Sequence, residues 1–151
     1  MLRRVLANLL AKLRGSAGSS SLPGPDSAVE PAPSLGERGE EFAATWLKER
    51  GYVILERNFQ AGRDEADIVA TDPDGHTIVI IEVKTRKDDH IMPEEHVNRT
   101  KQHNLSRAAA RLKQRPGWYE RPMRFDVIAI VWPEGCQPIV RHHQAAFSST
   151  L

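Results

Sequence analysis

At 151 residues, 40% hydrophobic and 27% charged, the chain has room for one domain with a real core and not for two ordinary ones. Its formal net charge of +1 excludes a bulk-charge argument for nucleic acid, so any such surface must come from local clustering. The single cysteine, Cys136, excludes an intrachain disulfide and a cysteine-based zinc site, and no apolar run approaches the roughly 20 residues that span a bilayer; a reducing, cytoplasmic setting is expected.

In residues 1–14, Leu2, Val5, Leu6, Leu9, Leu10 and Leu13 recur at helical spacing among Arg3, Arg4, Lys12 and Arg14. Three readings fit this basic amphipathic extension. One is a secretory signal, although Lys12 and Arg14 cut its apolar stretch short. The second is a helix that touches a membrane surface or a partner. The third is a poorly ordered extension or a misassigned start codon. Residues 15–34 are rich in Gly, Ser and Pro without periodicity, which predicts a disordered, flexible linker and a folded domain over 35–147.

Ser34-Leu-Gly-Glu37 has the form of a capping box, and a helix follows to about Arg50, where Gly51 stops it. Its apolar stripe is Phe42, Ala43, Trp46 and Leu47; Glu40 lies at the margin of that face and Glu41 faces water. Tyr52–Leu55 makes a first strand, with Phe59 its furthest reach, and Ala61–Asp64 a loop. Residues 65–85 form a hairpin. After a polar loop containing His90 and Pro93, a second helix spans roughly Glu94–Gln114 and ends at Pro116-Gly117. Phe125–Trp132 is a strand, Pro133–Gly135 a turn, and Ile139–His142 a short last strand. The order α-β-β-β-α-β-β predicts an α/β domain with one mixed sheet flanked by helices.

The hairpin carries the chemistry. Thr77-Ile-Val-Ile-Ile is apolar on both faces, as a central strand is, and it leads into Glu82-Val83-Lys84, where Glu82 and Lys84 share a face. A two-residue turn at Asp74-Gly75 would pair residues whose numbers sum to the same total and set Asp67 opposite Glu82. The alternative is a type I turn over Asp72–Gly75 with Pro73 second and a bulge at Gly75, which could shift the pairing by one residue. Two facing carboxylates beside a lysine are costly unless a cation lies between them. A Mg²⁺-dependent phosphodiesterase needs that arrangement: carboxylates hold the ion, which keeps several waters. Asp67 and Glu82 are the predicted ligands, with the Val83 backbone carbonyl a third. Lys84 would orient the attacking water or stabilise developing charge, and Glu40 would add a ligand or hold a metal-bound water. A lone Glu-x-Lys is weak, because alternating charges on a solvated strand are common.

Between Glu95 and Glu120 the second helix has no acid, while Arg99, Lys101, Arg107, Arg111, Lys113 and Arg115 are basic. This fits a phosphate-tracking surface, to which Arg86 would add, as well as it fits an ordinary solvated face. Lys101 differs, because it shares the apolar stripe of Val97, Leu105, Ala108 and Leu112; such a lysine either snorkels at the margin of the stripe or reaches into a site, and the second reading is preferred. His142 and His143 point to opposite faces and cannot chelate one ion. Trp118-Tyr119 could stack on bases or cap a core edge, and Arg124 with Asp126 could form a structural ion pair.

Gly36-x-x-Gly39-Glu40-x-x-Ala43, Gly51-Tyr-x-Ile54-Leu, Arg57-Asn58, Glu65-x-Asp67-Ile-Val-Ala70 and Glu82-Val-Lys-Thr-Arg86 resemble the bacterial YraN family, as do Pro93, Val97, Lys101, Arg124-Phe-Asp126-Val and Ala146-Phe147. The resemblance covers roughly residues 35–147. It implies a restriction-endonuclease-like fold of the PD-(D/E)XK nuclease superfamily, similar to archaeal Holliday-junction resolvases, with a Mg²⁺ (or Mn²⁺) site acting on DNA. By motif position it implies Glu40, Asp67, Glu82 and Lys84 as active-site residues and Lys101 as an auxiliary one. It also allows a homodimer, since junction resolvases act as symmetric dimers. The family usually has Gly-Glu-Ile-Asp where this chain has Asp64-Glu65-Ala66-Asp67; Asp64 adds a negative charge near the site and Ala66 leaves less apolar bulk behind the strand. Three functions follow: a metal-dependent nuclease acting on DNA, with branched or damaged forms among its substrates; a non-catalytic nucleic-acid-binding or adaptor protein with the same fold; and a protein-interaction module tethered through residues 1–14.

Overall fold

A computed structural model describes residues 32–88 and 97–151. The predicted extension, most of the linker, His90, Pro93 and the first residues predicted for the second helix lie outside them. The elements are α1 (Leu35–Lys48), β1 (Val53–Ala61), β2 (Asp64–Thr71), β3 (Ile78–Arg86), α2 (Arg99–Leu112), β4 (Met123–Val131) and β5 (Ile139–Phe147), in the predicted order. The strands form one sheet in chain order, every neighbouring pair antiparallel except β3 and β4. Parallel neighbours need a crossover, which the segment containing α2 supplies. Among the described residues no helix is long and apolar enough to cross a membrane.

The capping box closes as expected: Ser34 Oγ accepts from Glu37 N–H at 3.2 Å, and Glu37 Oε2 accepts from Ser34 N–H at 2.7 Å. At the other end of α1, Gly51 at φ 86 lets its own N–H reach Lys48 O and that of Tyr52 reach Leu47 O, so orphan carbonyls are satisfied where the sequence puts a glycine. The β2–β3 turn takes the alternative form. Gly75 N–H donates to Asp72 O at 2.9 Å, with Pro73 second in the turn and Gly75 at φ 73. The register nevertheless does not move: Ile68 pairs with Ile81 and Thr71 with Ile78, because residues 73–76 are centred between Asp74 and Gly75 as a two-residue turn would be. Two strands run longer than predicted. β1 continues past Asn58 (φ 51) to Ala61, and β5 reaches Phe147 despite Ala145 at φ 49.

β3 is buried on both faces. Ile78 and Ile80 pack with Leu105, Ala108 and Leu112 of α2, whereas Val79, Ile81 and Val83 pack with Ala43, Ala44 and Leu47 of α1. Alternation therefore sends Glu82 and Lys84 to the α2 side. On the α1 side helix and strand come especially close at Gly39: a Cβ on this buried residue would lie 1.8 Å from Thr85 Oγ1. Only glycine permits that approach, and it sets the helix turn bearing Glu40 against the end of β3.

Gly39→Ala is accordingly expected to lose about 1–3 kcal/mol through overpacking. Gly36→Ala, whose Cβ would meet only Ser34 Oγ at 3.8 Å, should gain about 0.5–1 kcal/mol from helix propensity. Urea unfolding of both variants checks this; similar values for the two would show that the Gly39–Thr85 contact does not seat the helix.

Candidate active site

Asp67, Glu82, Lys84 and Lys101 meet at the C-terminal end of β3. Glu82 is 1% exposed. Lys84 Nζ lies 2.5 Å from its Oε1, and Lys101 Nζ lies 3.0 Å from its Oε2 and 2.9 Å from Glu65 Oε1. The misplaced lysine of the apolar stripe thus reaches across to a buried carboxylate. Asp67 is partly buried, and its Oδ2 accepts the Val83 N–H at 2.7 Å. Asp67 and Glu82 are not a regular ladder pair, since β2–β3 pairing stops at Ile68 and Ile81. Beyond that point a side chain takes the hydrogen bond that the next rung would have used. β2 also changes face here: Ala66 and Val69 both pack on the α2 side, and Ile68 and Ala70 on the α1 side. Across β1, Asn58 in its left-handed conformation lies between the pairs Arg57–Ile68 and Phe59–Ala66, opposite Asp67.

The electrostatics follow from this crowding. Burial, then the Glu82 charge, push the Asp67 carboxyl up to about 7; the Val83 N–H and Lys101 oppose them, and Glu40 adds to the rise. Burial raises the Glu40 carboxyl as well; Arg57 opposes this, and Glu37, Glu82 and Glu65 reinforce it. For Lys101 burial alone would lower the ammonium, but Glu65 and Glu82 outweigh it and hold it above its ordinary value. Three carboxyl groups (Glu65, Asp67, Glu82) therefore share two lysines, and Glu40 is opposed by Arg57 alone.

The donor chemistry fits a hard divalent cation. All candidate ligands are oxygens, Asp67 is destabilised as an anion, and the buried Glu82 Oε2 makes no hydrogen bond, its contact with Lys101 being an ion pair of poor hydrogen-bond direction. Among the described residues no group of three or more His, Cys, Asp or Glu side chains is disposed around one ion position. The fit therefore rests on Asp67, Glu82 and the Val83 carbonyl, with water completing the shell, as Mg²⁺ favours. The larger cavities among the described residues include one of about 520 Å³ lined by Met123, Phe125, Phe147 and Leu151, and one of about 610 Å³ lined by Phe42, Arg57 and Trp132. Neither touches the carboxylates.

Of the predicted basic residues, Lys101 joins the cluster, Arg107 and Arg111 contact Asp64, and Arg86 and Arg99 are exposed. Glu41, expected in water, is exposed and paired with Arg57 at 2.6 Å. His142 binds Asp126 through Nε2 at 2.8 Å, and Arg124 and Asp126 form the ion pair that their spacing allowed. Two participants escaped the sequence. Glu65 is the partner of Lys101, and Asp64, expected to burden the site with charge, is fully buried against two arginines. The acid-free run of α2 was a signal that its arginines needed partners elsewhere, but not which ones.

A family model described as "Uncharacterised protein family UPF0102" matches residues 39–130. The chain belongs to this family. The UPF0102 match starts at the contact glycine Gly39 and takes in Glu40, Asp67, Glu82, Lys84 and Lys101. Similar UPF0102 proteins include one from Geotalea uraniireducens, 42% identical over 115 residues (76% of this chain and 89% of that one). Others are from Geobacter metallireducens, 43% identical over 115 residues (76% and 92%), and Bifidobacterium longum strain NCC 2705, 41% identical over 116 residues (75% and 92%).

The raised Asp67 value gives a stability prediction for the metal-free protein. The folded state holds this proton up to about pH 7, while the unfolded chain releases it near its ordinary value of 3.8, so stability falls as pH rises through that window. Asp67→Asn keeps an acceptor for the Val83 N–H and removes the charge. The variant should match wild type near pH 4 and exceed it at pH 8 by on the order of 1–2 kcal/mol. Urea unfolding in EDTA at both pH values checks this; a variant less stable than wild type at pH 8 would contradict it.

Proposed function

We propose that the chain is a metal-dependent endonuclease, a hydrolase of restriction-endonuclease-like type that cleaves phosphodiester bonds in DNA, with branched or damaged DNA among its substrates. The observation that carries this reading is the meeting of Asp67, Glu82 and Lys84 on a doubly buried strand, with one carboxylate destabilised by burial and then by the other. Asp67, Glu82 and the Val83 carbonyl would hold Mg²⁺ or Mn²⁺. Once bound, the ion would supply Lewis-acid activation of water and neutralise charge at phosphorus.

The remaining roles belong to the protein. Lys84, held against Glu82, lies within reach of whatever Glu82 binds and donates to a phosphate oxygen as charge builds there. Lys101 fixes Glu82 and Glu65 relative to α2. Glu40, with its raised affinity for protons, is suited to orient or deprotonate a water from the α1 side. Cleavage of both strands of a duplex or junction would call for two copies, as in a symmetric dimer.

The second reading, a nucleic-acid-binding or adaptor protein without turnover, draws on one observation. Both Glu82 oxygens already face ammonium groups, so the charge at that carboxylate is answered without an ion.

Cleavage of duplex, single-stranded and four-way-junction DNA with Mg²⁺ or Mn²⁺ separates the two. Asp67→Asn, Glu82→Gln and Lys84→Ala should each lower the rate on the order of 100-fold or more. Glu40→Gln should cost about 10- to 100-fold. In parallel, Mn²⁺ should raise the melting temperature of wild type and not of Glu82→Gln. Activity that survives the first three substitutions would reassign the site, and DNA binding without cleavage under either metal would favour the second reading.

A further inference from the structure

Asp64 opens β2 beneath α2 with no exposed surface. Its Oδ1 lies 3.2 Å from Arg107 Nε and its Oδ2 2.8 Å from Arg111 Nε, yet the two arginine side chains are 46% and 49% exposed. A clamp between strand and helix would need one arginine. Burying a carboxylate is costly, and a second half-solvated guanidinium leaves this locus with an excess positive charge. Arg111 Nε donates to Asp64 Oδ2, which holds that planar group in one orientation and leaves its Nη donors for another acceptor, whereas Arg107 meets the buried Oδ1 as an ion pair without a hydrogen bond.

A third arginine lies just past the end of α2. Arg115 Nη2 lies 2.7 Å from Glu56 Oε2 of β1, its side chain is 38% exposed, and its guanidinium lies over the Trp118 ring at 5.1 Å. Arg107 and Arg111 thus stand one turn apart on α2, about 6 Å of helix rise, over one buried carboxylate, and Arg115 lies in the turn that follows the helix. No acid lies in the helix itself, and its first turn carries Lys101, which contacts Glu82. The two helix arginines therefore lie further along α2 than the candidate active site, with Arg115 beyond the end of the helix.

We propose that Asp64, with Glu56, presets Arg107, Arg111 and Arg115 as a track that docks phosphates of duplex DNA. This rests on the nucleic-acid reading above and adds to it a binding track and a positioning residue, Asp64. The track is built by orientation rather than by net charge, which separates it from a generally basic surface.

Binding of a fluorescein-labelled DNA duplex to the full chain, followed by anisotropy in EDTA over a range of KCl, tests this without turnover. Arg107→Gln/Arg111→Gln should weaken binding and reduce the salt slope by about 2. Arg107→Lys/Arg111→Lys, which keeps the charge but not the fork, should still lose about tenfold. Asp64→Asn is the decisive variant: it makes the protein more positive, so bulk electrostatics would tighten binding, whereas loss of the preset arginines should weaken it several-fold. Melting temperatures confirm folding of each variant, and Lys48→Gln at the exposed end of α1 should change affinity by less than about twofold. A folded Asp64→Asn that binds as well as wild type or better, or a lysine pair with wild-type affinity, overturns the proposal. If wild type cleaves DNA and these variants bind it unchanged, only the track fails. If wild type binds no DNA, the nucleic-acid reading fails with it.

Discussion

A carboxylate buried at the end of a strand that is itself buried on both faces needs cations brought to it, and Glu82 imposes that need on the elements around it. Lys84 comes from the same strand and Lys101 from α2, so the charge of one residue links the sheet to the helix that crosses over it. Removing one partner from such a pair leaves an uncompensated buried charge, which is far costlier than losing a surface ion pair. The apolar contacts of α2 with β3 keep Lys101 in range, and the Gly39–Thr85 approach brings α1 and Glu40 to the same strand end from the other face.

This arrangement neutralises Glu82 and leaves Asp67 poorly served. Its one backbone hydrogen bond does not offset burial beside a second carboxylate, so its ionised form is disfavoured and the metal-free protein holds the proton up to about pH 7. Sites that trade stability for function have this character. α2 serves two purposes along its length: its first turn supplies the lysine that enters the cluster, and its later turns supply Arg107 and Arg111, which meet Asp64 of β2.

At the other end of the sheet a separate polar network has a structural role. Asp126 is fully buried and accepts from Arg124, His142 and the Ala145 N–H, while Arg124 also meets Asp72 at the hairpin turn. Hydrogen bonding from these groups, led by His142 and Arg124, outweighs burial and holds the Asp126 carboxyl below its ordinary range. The network ties the edge strand β5 to β4 where Ala145 breaks its regular conformation. It explains why β5 continues to Phe147 although Gln144-Ala-Ala carries little strand propensity.

Local chemistry determined much of this in the sequence alone. The capping box and Gly51 delimit α1, the two-sided apolar run marks β3 as central, and the period of two sets Glu82 and Lys84 on one face. Lys101 was legible because a charge inside an apolar helical stripe must leave the stripe for a partner. The hairpin register was legible too, because the turn that forms has the same centre as the turn first expected. What needed the tertiary structure was every pairing between residues distant in sequence and lacking a local pattern. Asp64 reads as an exposed loop acid until α2 covers it with two arginines, and Glu65 has no visible partner until the same helix brings Lys101. Gly39 reads as a helix weakness until Thr85 occupies the space where its Cβ would stand. Periodicity records which face a residue takes, but charge matching and close approach depend on which faces meet, and only the folded chain decides that.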